Sequence, residues 1–155
     1  MTRLIAAGAD VNTARTADGA TPLYFAAERS HDAVVARLIA AGAAVDKAKT
    51  DTGVTALLAA AEEGREAVMG QLITAGADVN TARTDDGATP LYVAAQVGHE
   101  VVVGRLISVG ADANKATNTG ETPLHHAWRP IDPQMQLSGG SETPEQTPCE
   151  RSEGG

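Results

Sequence analysis

The sequence repeats itself at an interval of 34 residues, and this period restricts the fold more than any other feature. Two series of glycines recur in one register; one steps by 34 residues each time and the other by 34, 34 and 33. Short polar segments such as Asp10-Val-Asn12 follow the first series. A fixed period of this length is typical of repeat proteins, in which each unit packs only on its neighbours. The two series are Gly8, Gly42, Gly76 and Gly110, and Gly19, Gly53, Gly87 and Gly120.

Each unit is predicted to contain two helices and a turn. A Thr-Pro pair predicts the first helix, because the threonine hydroxyl caps a free N–H and proline costs little at the first helical position. The second helices are predicted over 32–41, 66–75 and 100–109, where apolar residues have helical spacing and a glycine follows. The polar stretch 10–19 and its copies predict projecting loops. The predicted caps are Thr21, Thr89 and Thr122, and the predicted breaks after the first helices are Ser30, Gly64 and Gly98.

The first helices begin with a recognisable signature. Thr122-Pro-Leu-His-His-Ala127 has the full Thr-Pro-Leu-His-x-Ala pattern, two copies have tyrosine in the histidine position, and Thr55-Ala-Leu-Leu-Ala-Ala60 lacks both Pro and His. From Met1 to about Trp128 the chain resembles the ankyrin repeat family. The resemblance implies an all-α ankyrin-type helix-turn-helix solenoid with projecting hairpin loops. It also implies binding of other proteins through hairpin tips and first helices.

The predicted array covers residues 1–128. Its complete repeats lie at about 19–52, 53–86 and 87–119, and partial units lie at 1–18 and 120–128. Residues 129–155 contain four prolines and no apolar period, which predicts a disordered tail.

The ends of the array lack the polar capping repeats that solenoids usually have. One interpretation is therefore a fragment of a longer array or a truncated gene model. Trp128 occupies an alanine position of the other repeats, and we expect it to lie over the open end of the core. Three of the loops also have one extra residue before their glycine, which we assign to Arg15, Lys49 and Arg83.

Charge and cysteine content narrow the function. Twelve basic and 20 acidic residues give a net charge of −8, which argues against a general nucleic-acid binder or adsorption to anionic lipid. The single cysteine, Cys149, excludes an internal disulfide and a cysteine-based zinc site. No apolar stretch predicts a signal peptide or a membrane span. We expect a cytoplasmic protein, with the nucleus as the alternative location.

No catalytic constellation, phosphate-binding loop or dinucleotide fingerprint is present. His125 and His126 are adjacent and diverge on a helix, so we interpret His125 as the structural histidine of the signature, bonded locally. We therefore predict no catalytic, metal or cofactor site and no small-molecule substrate. Tyr24, Phe25 and Tyr92 are expected to be core or half-buried; an exposed Phe25 would be the natural anchor for a partner.

The predicted binding surface uses positions that vary between repeats. Stacking brings Arg15, Lys49 and Arg83 to one edge, where two accounts are open: nearby aspartates neutralise them, or they guide an acidic segment of a partner. The ends of the first helices are the other predicted contact region. The candidate residues are Arg15, Asp18, Glu28, Arg29, Lys49, Asp51, Glu62, Glu63, Arg83, Asp85, Asp86, Gln96 and Val97.

The sequence thus predicts a non-enzymatic scaffold that binds another protein. An alternative is the regulatory ankyrin segment of a larger enzyme or channel, and a third is a decaying gene fragment that never folds. The identity of the partner does not follow from the residues, because one framework serves many partners.

Overall fold

The structure is a computed structural model that describes residues 2–127. The expected cap at Trp128 and the expected disorder of residues 129–155 lie outside the described residues. Those described form eight helices and no strand. The helices are α1 (Thr2–Ala6), α2 (Pro22–Glu28), α3 (Asp32–Ala40), α4 (Ala56–Glu62), α5 (Glu66–Thr74), α6 (Pro90–Val97), α7 (Glu100–Ser108) and α8 (Pro123–Ala127).

The helices stack in two rows. The first helices α2, α4, α6 and α8 pack in sequence, each against the next. Each complete repeat adds a second helix, so α2 packs on α3, α4 on α5 and α6 on α7. The predicted all-α repeat solenoid is confirmed, and the second helices end within one residue of their predicted limits.

Local chemistry sets the helix boundaries. The hydroxyls of Thr21, Thr55 and Thr89 accept hydrogen bonds from backbone N–H groups three residues later, each at 3.2 Å. The first helices stop within two residues before Ser30, Gly64 and Gly98, which have φ values of 56°, 67° and 91°. The prediction of Thr122 as a similar cap is wrong, because its hydroxyl pairs with His125 Nδ1 at 2.9 Å.

The core is built mainly from leucine, valine and alanine. Leu57, Leu72 and Leu106 are fully buried, and so are Ala27 and Ala61 where first helices meet their neighbours. Alanine leaves little space between helix axes, which fits a sequence with only 3% aromatic residues.

The loops are turns that bond to the next repeat. In each complete turn, the residue four positions before the glycine donates its backbone N–H to the carbonyl of the residue directly after the glycine. In the first turn Arg15 N–H bonds in this way to Ala20 O at 2.8 Å. Thr117 makes the same bond to Glu121 at 2.8 Å, so it occupies the position of Arg15. The assignment of the extra residue to Arg15, Lys49 and Arg83 is therefore wrong. The shorter fourth loop lacks a residue in the turn between Asn118 and Gly120.

Candidate protein-binding surface

The loops and first helices present one continuous surface, which we call the hairpin face. We define it as the turns 15–20, 49–54 and 83–88 with the exposed sides of α2, α4 and α6. The turns are tied to each other across repeats: Thr50 N–H bonds to Asp18 O at 2.9 Å, and Thr84 N–H bonds to Thr52 O at 3.0 Å. These bonds hold the side chains of successive turns in a fixed register.

Asp18 joins the first two turns. It is only 8% exposed, and its Oδ1 accepts from Arg15 Nε at 2.8 Å and from Ala20 N–H at 3.1 Å. Arg15 Nη2 pairs with Asp18 Oδ2, which makes the contact bidentate. Lys49 Nζ of the next repeat lies 3.5 Å from the same carboxylate and 3.4 Å from Asp51. The hydrogen bond from Arg15 holds the pKa of Asp18 well below its usual value.

The third turn has its own ion pairs. Arg83 Nη2 lies 3.0 Å from Asp85 Oδ2 and 3.3 Å from Asp86 Oδ2. The hydrogen bond from Arg83 lowers the pKa of Asp85 to about 2. Asp86 also accepts from Ala88 N–H at 2.9 Å, as Asp18 does from Ala20, so both aspartates shape their turns.

The three cations of this edge are therefore neutralised. Arg15, Lys49 and Arg83 contact four carboxylates, which leaves the row with one net negative charge. Of the two accounts of the row, the geometry supports neutralisation by nearby aspartates. Two of the cations also lie over aromatic rings: Arg15 Cζ is 5.0 Å from the Phe25 centroid and Lys49 Nζ is 5.5 Å from that of Tyr24.

Tyr24 and Phe25 form the aromatic part of the surface. Their rings meet edge to face with centroids 5.6 Å apart, and both side chains are half-buried, as expected. Tyr24 Oη donates to Glu28 Oε1 at 3.2 Å, and burial together with this carboxylate raises the pKa of Tyr24 to about 12. The pair thus offers an amphipathic patch beside the paired charges.

Helix α6, the first helix of the third complete repeat, carries a different hydrogen-bond network. Tyr92 is buried, and its Oη lies 2.7 Å from Glu121 Oε2 and 2.8 Å from His126 Nε2. Burial and the Glu121 hydrogen bond raise the pKa of Tyr92 to about 12. Sequence reasoning missed Glu121, although its position directly before a Thr-Pro pair was a signal. His125 bonds to Thr122 alone among the described residues, which confirms its local structural role.

The ends of the first helices are mostly exposed. Glu28 is half-buried and accepts a hydrogen bond from Tyr24, whereas Arg29, Gln96 and Val97 are exposed. Glu63 pairs loosely with Arg65 at 3.5 Å. The backbone carbonyl of Glu62 bonds to His99 Nε2 at 2.9 Å, and its side chain is exposed. These residues continue the hairpin face but form no compact cluster with the turns.

Residues 2–127 contain no group of three or more His, Cys, Asp or Glu side chains arranged to hold a metal ion. Within the same range, no helix has the length and apolar character needed to cross a membrane.

Comparison with known protein families identifies the repeats. A family model described as ankyrin repeats, with three copies, matches residues 1–83 and 69–130. The chain belongs to the ankyrin repeat family. Ankyrin repeats are generally protein–protein interaction modules and are typically non-catalytic. A search of curated proteins found no match to this sequence.

Proposed function

We propose that this ankyrin repeat array is a non-enzymatic scaffold that binds another protein through the hairpin face. The observation that carries the proposal is the half-exposed Tyr24–Phe25 pair, held between Arg15 and Lys49 on a surface already ordered by bonds between repeats. A surface that is ordered before binding loses little conformational entropy when a partner docks.

The charges on this surface favour a partner that is not acidic. The candidate set contains Arg15, Arg29, Lys49 and Arg83 against seven carboxylates, and the row of turns has one net negative charge. We therefore set aside the hypothesis that the row of cations guides an acidic segment of a partner. The proposed contact is instead centred on the aromatic pair and bordered by paired charges. Rim charges of this kind affect association rate more than affinity.

The test uses a partner recovered by affinity capture with the full chain and then purified. Phe25→Ala is expected to weaken binding about 30-fold, which corresponds to about 2 kcal/mol for a central aromatic contact. Val101→Ala is the matched control, because Val101 is an exposed apolar residue on α7, outside the hairpin face. Circular dichroism establishes that both variants are folded.

Two results would contradict the proposal. In one, Phe25→Ala binds the partner as tightly as the unchanged chain does. In the other, Val101→Ala weakens binding as much as Phe25→Ala, which would place the contact on the second helices.

The alternative of a regulatory segment in a larger enzyme or channel, and the cytoplasmic location, remain predictions.

A further inference from the structure

The carboxylates of the hairpin face fall into two sets. In the first set, each aspartate of the three turns lies within 3.5 Å of a cation, and Glu63 at the end of α4 pairs with Arg65. The second set contains Glu28 and Glu62, which form no ion pair in the part of the chain that the structure describes. Unpaired negative charge on this face is therefore concentrated at these two residues, which we call the glutamate pair. The aspartates of the first set are Asp18, Asp51, Asp85 and Asp86.

The glutamate pair occupies the same position in successive repeats. Glu28 is the last residue of α2, Glu62 is the last residue of α4, and 34 residues separate them. Helix α2 packs directly on α4, so the two side chains occupy neighbouring positions in the stack of first helices. The equivalent residue of α6 is Gln96, which is uncharged. The unpaired charge therefore belongs to the first two complete repeats.

The glutamate pair lies beside the aromatic part of the hairpin face. Tyr24 Oη donates a hydrogen bond to Glu28 Oε1 at 3.2 Å. Burial raises the pKa of Tyr24 to about 12, and the negative charges of Glu28 and Glu62 add to this effect. Both carboxylates therefore lie close enough to the Tyr24 hydroxyl to act on it, and an aromatic ring borders the unpaired charge.

The cations of the chain leave the glutamate pair open. Arg15 and Lys49 lie over the rings of the aromatic pair, and both contact Asp18. Arg29 follows Glu28 directly, but neighbouring helical residues point about 100° apart, and the two side chains form no ion pair. A cation that neutralises the glutamate pair must therefore come from another molecule.

We propose that the partner segment that docks on the hairpin face is basic and places arginine side chains against Glu28 and Glu62, beside the ring of Tyr24. This inference rests on the proposed function and adds the chemistry of the partner. A guanidinium group can donate two parallel hydrogen bonds to a carboxylate and can stack on an aromatic ring. A neutral or acidic segment would cover the two carboxylates without supplying a cation, which costs free energy.

The stacking of the helices also sets a spacing for the arginines. Packed helices have axes about 8–10 Å apart. In a polyproline II segment every third residue returns to the same side after about 9 Å. A segment that crosses α2 and α4 with the pattern Arg-x-x-Arg thus presents one arginine to each glutamate.

The test is fluorescence anisotropy with the full chain and a rhodamine-labelled synthetic peptide, Gly-Pro-Arg-Pro-Pro-Arg-Pro-Gly, whose prolines favour the polyproline II conformation. The peptide is expected to bind the unchanged chain. The double variant Glu28→Gln, Glu62→Gln should bind it about 10-fold more weakly, as for the loss of two exposed ion pairs. A peptide with citrulline in place of both arginines should lose a similar factor, because citrulline keeps the shape and removes the charge.

The control is the double variant Glu66→Gln, Glu100→Gln. It removes the same two charges from exposed glutamates one repeat apart on α5 and α7, outside the hairpin face, and should change the affinity less than about twofold. Far-UV circular dichroism establishes that each variant is folded. The proposal is overturned if the control variant weakens binding as much as the Glu28 and Glu62 variant, which would indicate a response to net charge alone. Equal affinity for the citrulline peptide, or no binding to the unchanged chain at about 1 mM, also overturns it.

A second comparison separates this inference from the proposed function. The captured and purified partner is titrated with Phe25→Ala and with the Glu28→Gln, Glu62→Gln variant. Weaker binding by both variants supports a basic segment on the hairpin face. If Phe25→Ala alone weakens binding, the hairpin face stands and the basic segment is overturned. If neither variant weakens binding, the hairpin face is overturned and this inference with it.

Discussion

At the scale of single residues, Asp18 does more than any other side chain to fix the hairpin face. Its carboxylate closes its own turn through Ala20 N–H, holds Arg15 and reaches Lys49 of the following repeat. The sequence predicts that aspartates lie near these cations, because they follow within a few residues. The contact from Asp18 to Lys49 is harder to predict, since it depends on how far one turn is displaced from the next.

This arrangement predicts a loss of stability in acid. The folded-state pKa of Asp18 lies below the ordinary value of 3.8, so the unfolded chain binds its proton first as pH falls. The contribution of Asp18 to stability is therefore complete only well above pH 3.8 and decreases as the pH falls through that value. Asp18→Asn should lower the melting temperature at neutral pH and flatten its dependence on pH in the acid range.

The measurement is the melting temperature as a function of pH by circular dichroism. Asp10→Asn is the control, because Asp10 is exposed and its carboxylate bonds only to Asn12 N–H among the described residues. If Asp18→Asn keeps an acid dependence parallel to that of the unchanged chain, Asp18 does not supply this contribution.

At the scale of elements, the second helices contain two glycines whose surroundings differ. A Cβ built on Gly104 meets no atom within 4 Å, whereas one on Gly70 would lie 3.1 Å from Arg105 Nη1. Arg105 uses that nitrogen to bond to Glu66 O at 3.1 Å. The sequence alone makes the two glycines equivalent, since both stand where Ala36 stands in the first repeat.

We therefore predict that Gly104→Ala raises the free energy of unfolding by about 0.5–1 kcal/mol, because alanine loses less conformational entropy in a helix. Gly70→Ala should gain less, since Arg105 must move. Gly42→Ala is the control and should destabilise the protein, because Gly42 has a φ of +86°. Urea unfolding of the three variants measures the differences. A Gly104→Ala variant less stable than the parent would mean that close packing at α7 requires glycine.

Much of the fold at this scale follows from sequence for physical reasons. A Thr-Pro start, a residue with positive φ after the first helix and a glycine after the second are local signals that act within a few residues. Thr122 shows the limit, because His125 competes for its hydroxyl and the cap is lost. The Tyr92–Glu121–His126 network joins two repeats, and spacing alone does not show that these three polar groups meet.

At the scale of the whole molecule, the array separates a framework from a variable surface. The buried leucines and alanines and the backbone bonds between successive turns repeat with the period of the sequence. The hairpin face changes instead from aromatic in the first repeat to acidic at Glu62 and Glu63 and apolar at Val97. The paired helices and their apolar core positions could be predicted from the period, whereas the place of the shortened fourth turn could not. The pairing of charges along the edge could not be predicted either, because it depends on which carboxylates each cation reaches.

The central claim is that the hairpin face is the surface that receives a partner, and hydrogen–deuterium exchange tests it most directly. The full chain is compared alone and with the purified partner recovered by capture. The account predicts slower exchange in the turns 15–20, 49–54 and 83–88 and in α2, with little change in α3, α5 and α7. Slower exchange confined to α3, α5 and α7, with unchanged turns, would contradict it.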